Sequence, residues 1–208
     1  MGINQNERFT PRSLLKVPIM IAYYRLAEKN PDILSKKILY PLGSKPFAPP
    51  QIIVPGKSYS IDDLIRYMIV DSDNASKDLL IDNIDVNALD EEFTDFAIDT
   101  LNRDPTKNYT ISARTYSLFF RVLYNSTYLS PTMSEKALKL LTESNFKEGL
   151  TLGLPENILV AHKYGEQASH STPDIAVELH DCGVIYYRPQ PYFLCVMTEG
   201  DNLDIAQN

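Results

Sequence analysis

After Thr10-Pro11 the apolar residues Leu15, Ile19, Ala22 and Leu26 recur at helical spacing, as expected of a core-facing stripe. Thr is a good N-cap and Pro suits the first helical position, so a helix is predicted from Pro11 to about Lys29, capped by Thr10 and stopped at Asn30-Pro31. Tyr40 to Pro55 holds five prolines and reads as a loop, with at most a short strand at Ile52 to Val54. Ser60-Ile61-Asp62-Asp63 resembles a capping box and opens a helix through Ile69. Asp71-Ser72-Asp73-Asn74 interrupts it, and a further helix is predicted from about Ala75 to Ile81. Helical patterns follow at Glu91 to Leu101, Ala113 to Tyr124 and Ser134 to Glu143, with Asp90-Glu91-Glu92 as an acidic first turn. After Pro155 the period changes. Ile158 to Tyr164, Cys182 to Tyr187 and Tyr192 to Thr198 read as strands, the last two joined in a hairpin by Arg188-Pro189-Gln190-Pro191. Helices followed by strands predict an α+β fold and argue against alternating β/α units.

The 208 residues suit one domain, expected to comprise a helical lobe over about 11–150 and a sheet lobe over about 156–200 plus the N-terminal tail. Hydrophobic residues are 44% and charged residues 23%, which excludes disorder. The net charge of −7, with no basic run, argues against nucleic-acid partners. No apolar stretch reaches the ~20 residues of a membrane span, and Met1 to Arg8 has neither the basic start nor the apolar core of a signal peptide. Two cysteines exclude a disulfide framework or a four-cysteine zinc site. Cys182 and Cys195 would face each other only across a two-residue turn at Arg188-Pro189, and they read as two buried thiols rather than a disulfide. His162, His170 and His180 are scattered, read as structural or exposed, and no metal or cofactor is expected.

The candidate chemistry begins with Ser13 and Lys16, three apart and so on one helix face. With Thr10 as cap, Ser13 is the third helical residue, and its backbone N–H is an unpaired donor that could serve an oxyanion. The positive end of the helix dipole eases deprotonation of Lys16, which could then take the proton of Ser13. Ser72-Asp73-Asn74 lies between two helices, where a helix cap explains most such triplets. Lys163-Tyr164-Gly165 ends a strand, and a strand running into a turn explains it equally well.

In this fixed order the three signals resemble the motif set of the class A β-lactamases and penicillin-binding proteins. The resemblance runs almost the whole chain: Phe9 to Pro18 is similar to the nucleophile helix, Ser72 to Leu80 to the second motif, and His180 to Gly200 to the last two strands. It implies that Ser13 is the acylated nucleophile and Lys16 its base or proton relay. Ser72 would pass the proton to the leaving nitrogen. Asn74 would hold Lys16 and contact the substrate amide, and Lys163 would bind the substrate carboxylate. The backbone N–H groups of Ser13 and Glu166 would form the oxyanion hole, and Gly165 would let substrate lie against the strand edge. The implied substrate is a small β-lactam or a peptidoglycan-like acyl compound, and the implied location is extracytoplasmic. A cell-wall D,D-peptidase, an esterase-like acyl hydrolase and a non-catalytic wall-associated module of the same fold stay open as alternatives.

Three departures stand out. Tyr164 occupies a position where the family carries Thr or Ser, whose small hydroxyl helps hold a carboxylate. The nearest match to the deacylation loop is Asp104-Pro105-Thr106-Lys107-Asn108, so Asp104 is a candidate base, although Asp-Pro is also an ordinary turn start. Both ends are short for the family: Gly2-Ile3-Asn4 reads as the tail of a strand and Asn202 to Asn208 as the start of a last helix. The expectation is a fragment of a longer exported or membrane-anchored protein, marginally stable by itself.

Overall fold

The computed structural model describes residues 1–47, 51–96, 109–167 and 177–200. The α-helices are α1 (Lys16–Lys29), α2 (Ile61–Val70), α3 (Asn74–Ile81), α4 (Val86–Asp95), α5 (Ala113–Tyr124) and α6 (Pro131–Thr142). The strands are β1 (Arg8–Phe9), β2 (Lys37–Leu39), β3 (Ser58–Ser60), β4 (Ile111–Ser112), β5 (Val160–Gln167), β6 (Val177–Ile185) and β7 (Tyr192–Gly200). The fold is α+β, with β5-β6-β7 forming an antiparallel sheet and β1–β4 and β2–β3 two small ribbons.

Helix α1 is the centre of the helical layer. Val17, Ile19, Met20, Ile21, Ala22, Tyr23, Tyr24 and Ala27 are all buried, so the helix is enclosed on all sides. The expected stripe is therefore too narrow: Leu15 and Leu26 pack only at the edge of the core. The start also differs. Arg12–Leu15 forms a 3₁₀ turn, Lys16 is the first α-helical residue, and no side chain caps the turn, so Thr10 is not the N-cap. A left-handed φ of 51° at Arg12 turns the chain sharply there, which a Thr-capped entry would not need.

The other helix starts follow their caps. Ser60 accepts from the Asp63 N–H, Ser112 from Thr115 and Ser130 from Met133. Helix α4 begins at Val86, so Asp90 and Glu91 lie within it rather than in its first turn. The proline-rich loop holds no strand at Ile52 to Val54; the chain pairs instead on either side of it, Lys37 with Ser60 and Leu39 with Ser58. Gly2 to Asn4 forms no strand either, and pairing starts at Arg8 opposite Ser112. Asn202 to Asn208 lies outside the described residues.

The sheet has the predicted hairpin. Its register joins Ile185 to Tyr192 and Cys182 to Cys195, symmetric about Arg188-Pro189. The two cysteines are not free thiols: they form a disulfide, with Cα atoms 3.9 Å apart. Directly opposed side chains on neighbouring strands leave the two sulfurs nowhere to go but against each other. Strand β6 is buried along its whole length, whereas Tyr192, Leu194 and Val196 of β7 are 40–45% exposed. Among the described residues, no helix is long and apolar enough to cross a membrane.

Candidate active site

Three pieces of chain meet at the site: the 3₁₀ turn carrying Ser13, the α2–α3 connection carrying Ser72 and Asn74, and β5 carrying Lys163. Each is held by local bonding. Asp73 is fully buried and caps α3, accepting from the N–H groups of Ala75 and Ser76 and from the Ser76 hydroxyl at 2.5 Å. Its own N–H donates to Tyr67 O at 3.1 Å. Ser72 sits in the left-handed region with φ 56°, which aims both its carbonyl and its hydroxyl at Lys16. The triplet is thus a helix cap and a site element at once.

Gly165 packs against the turn that carries Ser13. A Cβ there would lie 3.0 Å from both Pro11 O and Ser13 N and 3.1 Å from Arg12 Cβ. A side chain at this position would therefore press on the backbone of that turn. Strand β5 is the outer strand of its sheet. Tyr186 N–H donates to Leu159 O, so the odd-numbered residues of β5 point their backbone polar groups at β6. Alternation then directs the N–H of Glu166 and the C=O of Tyr164 to the free edge.

Lys16 is 1% exposed, and its Nζ lies 3.0 Å from Ser13 Oγ, 2.5 Å from Ser72 O, 3.0 Å from Ser72 Oγ and 2.8 Å from Asn74 Oδ1. Lys163 is fully buried, and its Nζ lies 2.9 Å from Ser72 Oγ and 3.2 Å from Tyr164 O. Burial lowers the Lys16 pKa to about 7, helped by the charge of Lys77 and opposed by Asp73 and Asp78. Burial, followed by the charge of Lys16, holds Lys163 well below the usual lysine range. Two ammonium groups sharing one serine hydroxyl disfavour each other, so at least one amine is readily neutral.

Hydrogen-bond counting gives the consequence. The Ser72 carbonyl and Asn74 Oδ1 can only accept. A neutral Lys16 amine has two N–H donors and one lone pair, so these two acceptors use both donors. The lone pair remains for a hydroxyl, and those of Ser13 and Ser72 both lie 3.0 Å away, Ser72 Oγ already bonded by Lys163. This arrangement can take a proton from Ser13.

All the described candidates, Ser13, Lys16, Ser72, Asn74, Lys163, Tyr164, Gly165 and Glu166, lie together in this region. Asp104 lies outside the described residues, as does His170. His162 is buried and bonds the Asp181 carboxylate through Nδ1 at 2.8 and 2.9 Å, while His180 Nε2 lies 3.0 Å from Thr10 O. Both brace the sheet and the turn. Among the described residues, no group of His, Cys, Asp and Glu side chains is placed to hold a metal ion. Sequence reasoning missed Phe146, whose ring stacks on Tyr164 with centroids 3.9 Å apart and an interplanar angle of 11°. It also missed Arg12, which pairs with Glu178 beside the nucleophile. No periodicity or motif marks Phe146, because the contact depends on how the chain after α6 folds back over β5.

A family model described as "Beta-lactamase enzyme family" matches residues 1–208. Among curated proteins, no sequence match is found. Solved structures are similar in fold. The β-lactamase from Sphaerobacter thermophilus superposes with a TM-score of 0.85 at 21% identity, over 100% of this chain and 81% of that one. The β-lactamase from Chitinophaga pinensis gives 0.82 at 20% identity, over 100% and 83%. PBP-A gives 0.79 at 19% identity, over 97% and 76%, and a PBP-A mutant is known as an acyl-enzyme complex with penicillin G.

Proposed function

The chain belongs to the beta-lactamase enzyme family, and from that premise we propose that it is a serine acyl hydrolase that reacts through Ser13. The observation that carries this reading is the Lys16 amine, whose two pure acceptors leave its lone pair for a hydroxyl, with Ser13 Oγ at 3.0 Å and Ser72 Oγ, shared with Lys163, beside it. Ser13 Oγ attacks the carbonyl carbon of a strained or activated acyl bond, and its proton passes to Lys16 Nζ. The Ser13 and Glu166 N–H groups stabilise the oxyanion. As the carbonyl re-forms, the bond to the leaving nitrogen or oxygen breaks. Ser72, held between Lys16 and Lys163, delivers the proton to the leaving atom. Water then cleaves the Ser13 ester, releasing the acid and restoring the hydroxyl.

β-Lactams are the first substrates to test, since opening a strained amide tethers the leaving nitrogen to the acyl group. Asp104 is our candidate for activating the deacylating water. Its side chain, one methylene shorter than Glu, makes slow hydrolysis the expected behaviour. The two lobes serve as one catalytic unit, with helical residues 11–150 supplying the nucleophile and proton relay and residues 156–200 the oxyanion edge. The Cys182–Cys195 disulfide is at home in an oxidising compartment, which supports an extracytoplasmic location.

Intact-mass analysis after incubation with a penicillin tests the reading. A covalent adduct on Ser13, absent in Ser13→Ala and lasting far longer than it takes to form, is expected. A folded wild type that stays unmodified by a penicillin and by a fluorophosphonate would overturn it. Rapid nitrocefin turnover lost in Asp104→Asn would instead show efficient deacylation through that carboxylate.

A further inference from the structure

The rim of the site has an unusual chemistry for a pocket built on two lysines. Both amines are turned inward and occupied, Lys16 by Ser72 and Asn74, Lys163 by Ser72 and the Tyr164 carbonyl. The nearby guanidinium of Arg12 is paired with the buried carboxylate of Glu178. Lys77, whose charge reaches Lys16, is paired with Asp78, and Lys147 bonds the Ser144 carbonyl. Over Lys163 itself the outward groups are aromatic and acidic. Tyr164 and Phe146 are half-buried and stacked, with ring centroids 3.9 Å apart. Lys163 Nζ lies 4.2 Å from the centroid of the Tyr164 ring, so the ring covers the ammonium. Glu166 is exposed on the same strand edge, and its charge acts on both Lys163 and Tyr164. Asp71 adds a second negative charge felt by Tyr164, and its carboxylate accepts from Asn145, the neighbour of Phe146.

An anionic group approaching this rim meets a phenol where it needs a cation and meets carboxylates at close range, and like-charge juxtaposition disfavours binding. A flat apolar group meets two rings that it can stack against. We propose that Tyr164 and Phe146 form the specificity wall of the site, selecting acyl substrates that are uncharged beside the scissile bond and that present an aromatic or flat apolar group, over substrates carrying a carboxylate there. The proposal rests on the reading of Ser13 as nucleophile and names its substrate class. Tyr164 sets the preference by covering Lys163, and Glu166 reinforces it by charge.

Benzylpenicillin and its methyl ester form a matched pair, with the same phenylacetyl group and β-lactam ring and a difference only in the carboxylate. The measurement is the second-order rate of Ser13 acylation by each, divided by its rate of hydrolysis by hydroxide. The methyl ester is expected to be favoured by about tenfold or more. Tyr164→Thr should shrink that ratio by about tenfold. Glu166→Gln, at an exposed position that leaves the fold untouched, should shrink it two- to fivefold and decides the matter if the Tyr164 variant fails to fold. If neither penicillin form reacts, phenyl phenylacetate and its counterpart with a carboxylate on the leaving phenol replace them with the same expectation. An equal or greater rate for the carboxylate-bearing partner, or a ratio unmoved by both variants, overturns the proposal. Labelling of Ser13 by a fluorophosphonate separates the two failures. A labelled protein that prefers the anion refutes the specificity wall alone, and an unlabelled, folded one refutes the nucleophile as well.

Discussion

At the scale of single residues, the proposed reaction depends on one amine being neutral at the right moment. Lys16 loses its proton near pH 7 because burial penalises its charge. The sign for activity follows directly: the base form grows as pH rises, so acylation of Ser13 should increase through about pH 7 and level off above it. The sign for stability is the same. A folded pKa below the unfolded 10.5 means that the folded chain holds fewer protons between about 7 and 10.5, so the penalty of burying Lys16 is full below that window and fades as pH climbs through it. Stopped-flow acylation across pH 5–9 should show the inflection in wild type. Lys16→Ala should remove it and slow acylation ~10²-fold or more. A flat wild-type profile would count against Lys16 as the base. The residue types needed here were legible in the sequence, since Ser-x-x-Lys, Ser-x-Asn and Lys-x-Gly each have a spacing. The environment was not. Lys16 is enclosed by Ser72, 56 positions along the chain, and the Tyr164 ring is held by stacking on Phe146.

At the scale of elements, caps were the most readable feature. Ser60, Ser112 and Ser130 each bond the N–H three residues on, as the local pattern requires. The start of α1 misled because Thr-Pro is a helix entry in most settings, whereas here the β5 strand presses Gly165 against the turn and the chain enters through a left-handed residue. The short ribbons β1–β4 and β2–β3 were invisible because strands of two or three residues carry no period of their own. The cysteine pair shows how much a register decides: the pairing centred on Arg188-Pro189 opposes the sulfurs, although the connection itself runs from Tyr186 to Pro191. Asp73 links element and site, because it caps α3 while fixing the loop that holds Ser72 and Asn74. Asp73→Ala should lower stability by about 2 kcal/mol through the lost cap and the buried donors left behind. It should also slow acylation by more than that loss explains, as the Lys16 acceptors drift. Denaturant melts and acylation rates on the same samples would test this. A stability loss with acylation unchanged would show that the loop holds its shape without the cap.

At the scale of the whole molecule, the order of helices then strands was enough to give α+β, and the motif order gave the family. The distribution of burial was not available from either. Strand β6 is enclosed on both faces, but Tyr192, Leu194 and Val196 on neighbouring β7 remain exposed. In sequence Tyr192 to Met197 is one continuous apolar run, which does not say which face stays open. Contiguous exposed side chains of this kind on a sheet promote self-association. The double substitution Leu194→Lys, Val196→Lys should leave the unfolding free energy nearly unchanged, within about 0.5 kcal/mol. It should also reduce concentration-dependent association in analytical ultracentrifugation. A large loss of stability would mean that these two side chains pack in solution.

The left-handed backbone at Arg12 and Ser72 bears on how such a protein would age under neutral drift. A bulky residue at positive φ is a standing strain, and glycine relieves it. At Arg12 glycine would strand the buried Glu178 carboxylate, and at Ser72 it would take away the hydroxyl that two buried amines share, so each strained residue is also tied in by its side chain. A gene copy released from selection on its reaction would therefore shed neither strain freely. Deep mutational scanning for folding and for acylation should part most at Ser72, where acylation rejects glycine more sharply than folding does.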